Sequence, residues 1–222
     1  MNLSKKAVEA AYQRQAQRYD SALKLYQLMG LRIEEYRARA VELLCLKRGD
    51  CVVDLGCGTG LSFPFLVQAI GPEGRLIGVD VSAEMLACAR VRIERSHWNN
   101  VHLVHGDIAE YDFPGSVNAA LSIGVFGYVP ERDRVMERIA QALVPGGRIV
   151  IVDGKRPDRW PLWLFKLFVW CSSPFGVTAE YFDGHTWESV ERFFQETTFE
   201  EVYGGLLYIS SGITPSPPHE LS

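Results

Sequence analysis

The sequence predicts an α/β fold with a parallel sheet covered by helices on both faces. Three observations predict it. Short apolar, strand-like runs recur at CVVDLG, RLIGVDVS, VHLVHGD and NAALSI. Helical patterns alternate with them at LSFPFLVQAI, SAEMLACARVRIERS and PERDRVMERIAQAL, which makes βαβ units and hence parallel pairing. A run of glycines closes the first strand, where open α/β sheets place a ligand-binding turn.

In chain order, Ser4 is placed to cap a first helix running to about Tyr19. A second spans roughly Leu31 to Leu46 and ends in Lys47, Arg48 and Gly49, cations followed by a left-handed stop. The strand Cys51–Gly56 and a helix over 61–70 follow. Next come a strand over 75–82, a helix capped by Ser82 and a strand over 101–107. Asn118 to Ile123 reads as an apolar strand. The next helix has Pro130 near its start and Val135, Ile139 and Leu143 on one face. A turn at Pro145-Gly-Gly then leads into the strand RIVIVDGK. From Arg156 to Gly176 the pattern changes to a dense aromatic segment. HTWESVERFFQETTF reads as a helix, EEVYGGLLYISSG as a final strand or hairpin, and TPSPPHELS as a disordered tail.

With 222 residues and 47% hydrophobic residues, one domain with a sizeable core is expected. It divides into a helical N-terminal part over 1–48, a core over 49–153 and an insert over 154–185. The domain reaches residue 214, with 215–222 as tail. The net charge is −4 and no basic stripe is present, so nucleic acid is not the expected partner. Five cysteines form no CxxC pair, which points to a reducing compartment with neither disulfide framework nor zinc site. The polar N-terminus has no signal-peptide core, and no apolar run reaches the roughly 20 residues of a membrane span. A cytoplasmic location is therefore expected.

Three acids define the ligand. Gly56, Gly58 and Gly60 leave no Cβ in the way of a closely approaching molecule. A dinucleotide fingerprint needs its third glycine at position 61, where Leu61 stands. Asp54 would repel a pyrophosphate but suits an ammonium group. Asp80 closes the second strand, where an acid binds the two ribose hydroxyls of a nucleoside. By itself Asp80 also reads as part of the Ser82 cap. Asp107 can accept from an adenine amino group, with Ile108 and Met85 against the ring. An adenosine carrying an amino acid fits all three carboxylates, and that molecule is S-adenosylmethionine.

VVDLGCGTG, GVDVSAEMLACAR, VHGDIAEYDF and LVPGGRIVIVD, in that order, resemble the motifs of class I S-adenosylmethionine-dependent methyltransferases over roughly Gly49 to Asp153. The resemblance implies a Rossmann-like, doubly wound, mostly parallel seven-stranded sheet whose last strand is antiparallel, with a helical N-terminal lid. It also implies that Asp54 and the loop Gly56, Cys57, Gly58 and Gly60 hold the methionine part. Asp80 would hold the ribose, with Val81 and Met85 against adenine and Asp107 and Ile108 completing that pocket. Ser122 to Val125, including Gly124, would line the sulfonium end. No metal is implied.

The expected reaction is methyl transfer by in-line displacement, in which the protein chiefly aligns the reactants. The place after the fourth strand reads SIGVFGYVP, without the paired prolines of amino-directed DNA methyltransferases or the Pro-Cys of cytosine C5 enzymes. A hydrophobic small molecule or membrane lipid is the leading acceptor. Nucleic-acid or protein methylation and non-catalytic cofactor binding are the alternatives. The segment over 157–175 holds Trp160, Trp163, Phe165, Phe168 and Trp170. It reads as a buried helix over the sheet edge or a dimer contact, or else as an acceptor pocket or a peripheral membrane contact. Monomer and homodimer both stay open. The chain looks most like quinone-biosynthesis C-methyltransferases and phosphatidylethanolamine N-methyltransferases. By that likeness Tyr12 and Tyr19 would fold over the cofactor, Tyr19 also as a catalytic candidate. His185 is the candidate base, and its position equally suits a helix cap; Tyr128 and Tyr181 are weaker candidates.

Overall fold

The computed structural model describes residues 32–173 and 177–215. The first predicted helix, Tyr12, Tyr19 and most of the expected tail lie outside the described residues. The elements are α1 (Ile33–Leu43), β1 (Cys51–Leu55), α2 (Phe63–Ile70), β2 (Arg75–Asp80), α3 (Ala83–Ser96), β3 (Val101–His105) and β4 (Val117–Ile123). They continue with α4 (Arg132–Ala142), β5 (Leu143–Gly154), α5 (Leu162–Ser172), α6 (Thr186–Phe193), β6 (Gln195–Val202) and β7 (Leu207–Ile213).

The seven strands form one sheet in the order β3-β2-β1-β4-β5-β7-β6. β1 pairs in parallel with β2 and with β4, Asp54 lying between Gly78 and Leu121. β7 is antiparallel to β5 and to β6. The strand order reverses between β1 and β4, so the crevice at their carboxyl ends is the expected ligand site.

Alternation along the strands divides the core between two faces. Val53 and Leu55 join Ile77, Val79, Ile149 and Ile151 on one face, beneath Val135, Met136 and Ile139 of α4 and Val190 of α6. Val52 joins Leu76, Leu121, Val150 and Val152 on the other, beneath Ala40 and Val41 of α1, Leu66 of α2 and Leu86 of α3. Ser82 caps α3 as expected, its Oγ accepting from Met85 N–H at 3.2 Å.

Several boundaries differ from the sequence reading, among them that β5 begins at Leu143, ahead of the expected turn at Pro145-Gly-Gly. α1 ends at Leu43 rather than Leu46, and Cys45 just beyond it has a left-handed φ of 49°. The helix expected through Phe199 stops at Phe193, because Gln195–Val202 is the edge strand β6. The residues Thr197, Thr198 and Phe199 favour extended backbone, and β7 offers them a pairing partner. Tertiary pairing thus overrides the helical pattern that runs up to Phe194.

Candidate cofactor cleft

A cleft opens where β1 and β4 end. Arg37, Asp54, Gly56, Cys57, Gly58, Thr59, Leu61, Ser62 and Ile123 line it. The loop between β1 and α2 holds Gly56, Gly58 and Gly60 at φ of 68°, 55° and 76°. Only glycine adopts three such angles cheaply. A Cβ on Gly60 would strike the ring of Phe63 at 2.6 Å, and one on Gly56 would strike Val125 at 2.2 Å. A Cβ on Gly58 would instead meet open space.

Hydrogen bonds fix the loop from beneath. Gly58 N–H donates to Asp80 Oδ2 at 2.7 Å, and Ser82 N–H donates to Asp80 Oδ1 at 2.8 Å. Arg92 Nε donates to the Thr59 carbonyl at 3.0 Å. Asp80 therefore anchors loop and helix start while keeping lone pairs for a further donor.

Asp54 is 2% exposed, and its Oδ2 has no hydrogen-bond partner among the described residues. Burial pushes its pKa up to about 7; the nearby Arg37 guanidinium opposes the rise and the Asp80 charge adds to it. A buried carboxyl oxygen left unpaired is costly unless a ligand satisfies it. Arg37 projects from α1 into the same cleft and donates from Nη1 to Ser62 Oγ at 2.8 Å. Sequence reasoning missed Arg37. The signal was its place on the apolar face of α1, three and four residues before the buried Ala40 and Val41.

The other expected site residues fall into distinct places. Cys57 is buried, and burial together with Asp54 and Asp80 drives its thiol pKa well up, so it stays protonated. Val81 and Asp107 are exposed, Met85 is half-buried and Ile108 is buried beside them in chain order. Asp107 Oδ1 accepts from Ala109 N–H at 2.9 Å. Ser122 is 1% exposed, and its hydroxyl donates to the Leu55 carbonyl at 3.1 Å. The side chain is committed to the sheet, and its neighbour Ile123 lines the cleft instead. Gly124 lies exposed just beyond, at φ 76°.

His185 is not brought to the cleft lining. Its ring stacks on Trp187 at 4.7 Å and its Nδ1 lies 3.2 Å from Glu188 Oε1, on the exposed start of α6. The structure places a different pair beside Gly124. The Tyr181 hydroxyl donates to Asp153 Oδ1, Gly154 N–H reaches the same Oδ1 at 2.8 Å, and Gly127 N–H reaches Oδ2 at 2.9 Å. Burial raises Asp153 to about 6, and the hydrogen bonds from Tyr181, Gly154 and Gly127 oppose that rise. Burial and Asp153 together raise Tyr181 well above its ordinary value, so the hydroxyl keeps its proton. A Cβ on Gly124 would lie 3.8 Å from Tyr181 Oη. This pair clamps the turn after β4 to the end of β5.

The profile of the family described as methyltransferase domain matches residues 52–147. Demethylmenaquinone methyltransferase of Listeria welshimeri is 32% identical over 126 residues, which are 56% of this chain and 53% of that protein. The chain thus spans about half the length of this relative. 2-Phytyl-1,4-naphtoquinone methyltransferase of Thermosynechococcus vestitus is 30% identical over 200 residues, covering 79% of this chain and 85% of that protein. The chain belongs to the class I S-adenosylmethionine-dependent methyltransferases. A crystal structure of a SAM dependent methyltransferase from Aquifex aeolicus shares the fold of this family member, with a TM-score of 0.60 at 21% identity over 80% of this chain and 89% of that one.

The residues present fit the family's cofactor. The unpartnered Oδ2 of Asp54 suits its ammonium, the neighbouring Arg37 suits its carboxylate, and the bare loop admits its backbone-hugging chain.

Proposed function

We propose that the protein binds S-adenosylmethionine across this cleft and transfers its methyl group to a hydrophobic small molecule or membrane lipid. The observation that carries the reading is the buried, unpartnered Asp54 oxygen facing a loop of three left-handed glycines. When bound, the cofactor supplies an electrophilic methyl group on a sulfonium, which needs no activation by the protein.

The residues of the chain bind and orient. Asp54 accepts from the ammonium, and Arg37 donates to the carboxylate. Gly56, Gly58 and Gly60 let the methionine part lie against the backbone. Asp80 accepts from the ribose hydroxyls, while Val81, Met85, Asp107 and Ile108 receive the adenine. The turn over 124–128 and its clamp, Asp153 with Tyr181, form the acceptor end. Tyr181 and Tyr128 pack at 4.8 Å, and Phe182 and Phe165 continue the aromatic wall. An apolar wall of that kind removes water from an acceptor and aligns it for displacement. The quinone-directed names of the curated relatives favour an aromatic or isoprenoid-bearing acceptor.

S-adenosylhomocysteine tests the cofactor half. Millimolar ligand is expected to raise the melting temperature of wild type, and much less that of Asp80→Ala. No shift in wild type would sink the proposal. Incubation with methyl-labelled cofactor and a membrane lipid and metabolite extract tests the acceptor half. Absence of label from every lipid and small molecule of the extract, alongside a normal S-adenosylhomocysteine shift, would overturn it.

A further inference from the structure

We propose that α5 docks the protein on the surface of an anionic lipid bilayer through the outward face formed by Leu162, Trp163, Lys166, Leu167 and Trp170. This rests on the reading of an apolar acceptor and adds where that acceptor is met.

The helix has two faces of the same apolar character but opposite fate. Phe165 and Phe168 point inward, packing with Phe182 and Leu206. The other five residues fall within one stripe of about 140° at 100° per residue. Trp163 is 68% and Trp170 73% exposed, with Leu162 at 51% and Leu167 at 46%. Two indoles and two leucines on one exposed stripe exceed the scatter of single apolar residues normal on a surface.

Charge selects the occupant. Lys166 stands within the stripe and the exposed Arg159 leads into the helix, while the Arg156 guanidinium lies over the ring of the inward Phe165 at 5.5 Å. The exposed carboxylate nearby in sequence, Asp158, is already paired with Lys155 at 2.6 Å. A cationic rim on a chain of net charge −4 marks this face as complementary to an anionic surface. Indole rings with basic neighbours prefer the boundary between headgroups and acyl chains. Depth follows from length. Eleven residues span about 16 Å as a helix, against a hydrocarbon core of about 30 Å, so α5 lies in the interface and does not cross it.

The inward side of α5 links this face to the acceptor end. Phe165 meets Phe182 at 5.4 Å, and Phe182 meets Tyr181 at 4.9 Å. Tyr181 closes on Asp153 and neighbours Gly124. A lipid-dissolved acceptor would thus enter beside the helix that touches the bilayer, without crossing water.

The test uses the full chain without cofactor or acceptor. Vesicles of phosphatidylglycerol with phosphatidylethanolamine are compared with pure phosphatidylcholine by flotation and by tryptophan fluorescence. Wild type is expected to float with the anionic vesicles and shift its emission to the blue. Trp163→Glu with Trp170→Glu is expected to weaken binding at least about tenfold. Lys166→Glu is expected to weaken it at least about fivefold and to flatten its salt dependence. Unchanged ligand-induced melting shifts in these variants show that the fold and cleft persist. Equal binding of wild type and the double variant overturns the proposal. So does a wild-type dimer that floats with no vesicle and dissociates in the double variant, because a second copy then covers the face. Absence of vesicle binding alongside a normal S-adenosylhomocysteine shift refutes the docking face and leaves the cofactor reading standing.

Discussion

The protonation of Asp54 gives the sharpest prediction. Its pKa is raised to about 7 by burial, so the unliganded protein holds it as the neutral acid through the mildly acidic range. A cationic ammonium prefers the carboxylate. If only the ionised form binds well, affinity follows the ionised fraction. That fraction is about one in a hundred at pH 5 and about one half at pH 7, from a pKa of about 7. Binding of S-adenosylhomocysteine should therefore tighten about 50-fold over this interval, which corresponds to about 2.3 kcal/mol. Isothermal titration calorimetry at half-unit steps of pH reads the slope directly. Asp54→Asn removes the titrating group, so its weaker binding should be flat with pH. An equal slope in both proteins would refute the reasoning, since the pH dependence would then belong to another group.

Arg37→Leu removes the charge that holds Asp54 down, so the midpoint of that pH profile should move up. Affinity at pH 7 should fall about tenfold or more, and an unshifted midpoint would show that Arg37 does not face Asp54. The folded pKa values of Asp54 and Asp153 both lie above the usual carboxylate range, near 7 and 6. Their contribution to stability is complete below about pH 4 and is lost as pH rises to about 7; at pH 8, Asp54→Asn should raise the unliganded melting temperature by a few degrees while binding weakens. Gly127→Ala would place a Cβ 2.3 Å from the Tyr181 ring and should cost about 1–3 kcal/mol by urea denaturation; an unchanged midpoint would mean the clamp is loose. Phe63 is fully buried beneath Gly60 and Gly78, so Phe63→Ala should cost about 3–5 kcal/mol and loosen ligand binding with it.

Several parts of the site were legible because they are local. Asp54, the three glycines, Asp80 and the Ser82 cap lie within single strand–turn–helix units, where chain connectivity fixes who neighbours whom. The same locality explains why the alternation from β1 to β5 could be read. Arg37 was missed because its meaning depends on α1 packing against β4, β5 and α2 so that its side chain lines the same cleft as Asp54, a contact between separate elements. Tyr181 and Asp153 are 28 residues apart, and nothing in either segment announces the pair. Ser122 sits at the right place in chain order, yet the pleat turns its hydroxyl onto Leu55 of the neighbouring strand. His185 falls where an acceptor-side base was expected, but stacking on Trp187 keeps it on the exposed start of α6.

By itself the sequence determined the order of elements, the bare turn after β1 and the acids at the strand ends, since hydrophobic periodicity and glycine geometry act over a few residues. Only the tertiary structure decided that Gln195–Phe199 is strand, that Arg37 joins Asp54 in lining the cleft, and that α5 buries two phenylalanines while exposing two tryptophans. The physical reason is that burial and pairing are settled by residues distant in the chain. An apolar helix carries no mark of which side will find a partner until the sheet beneath it has closed.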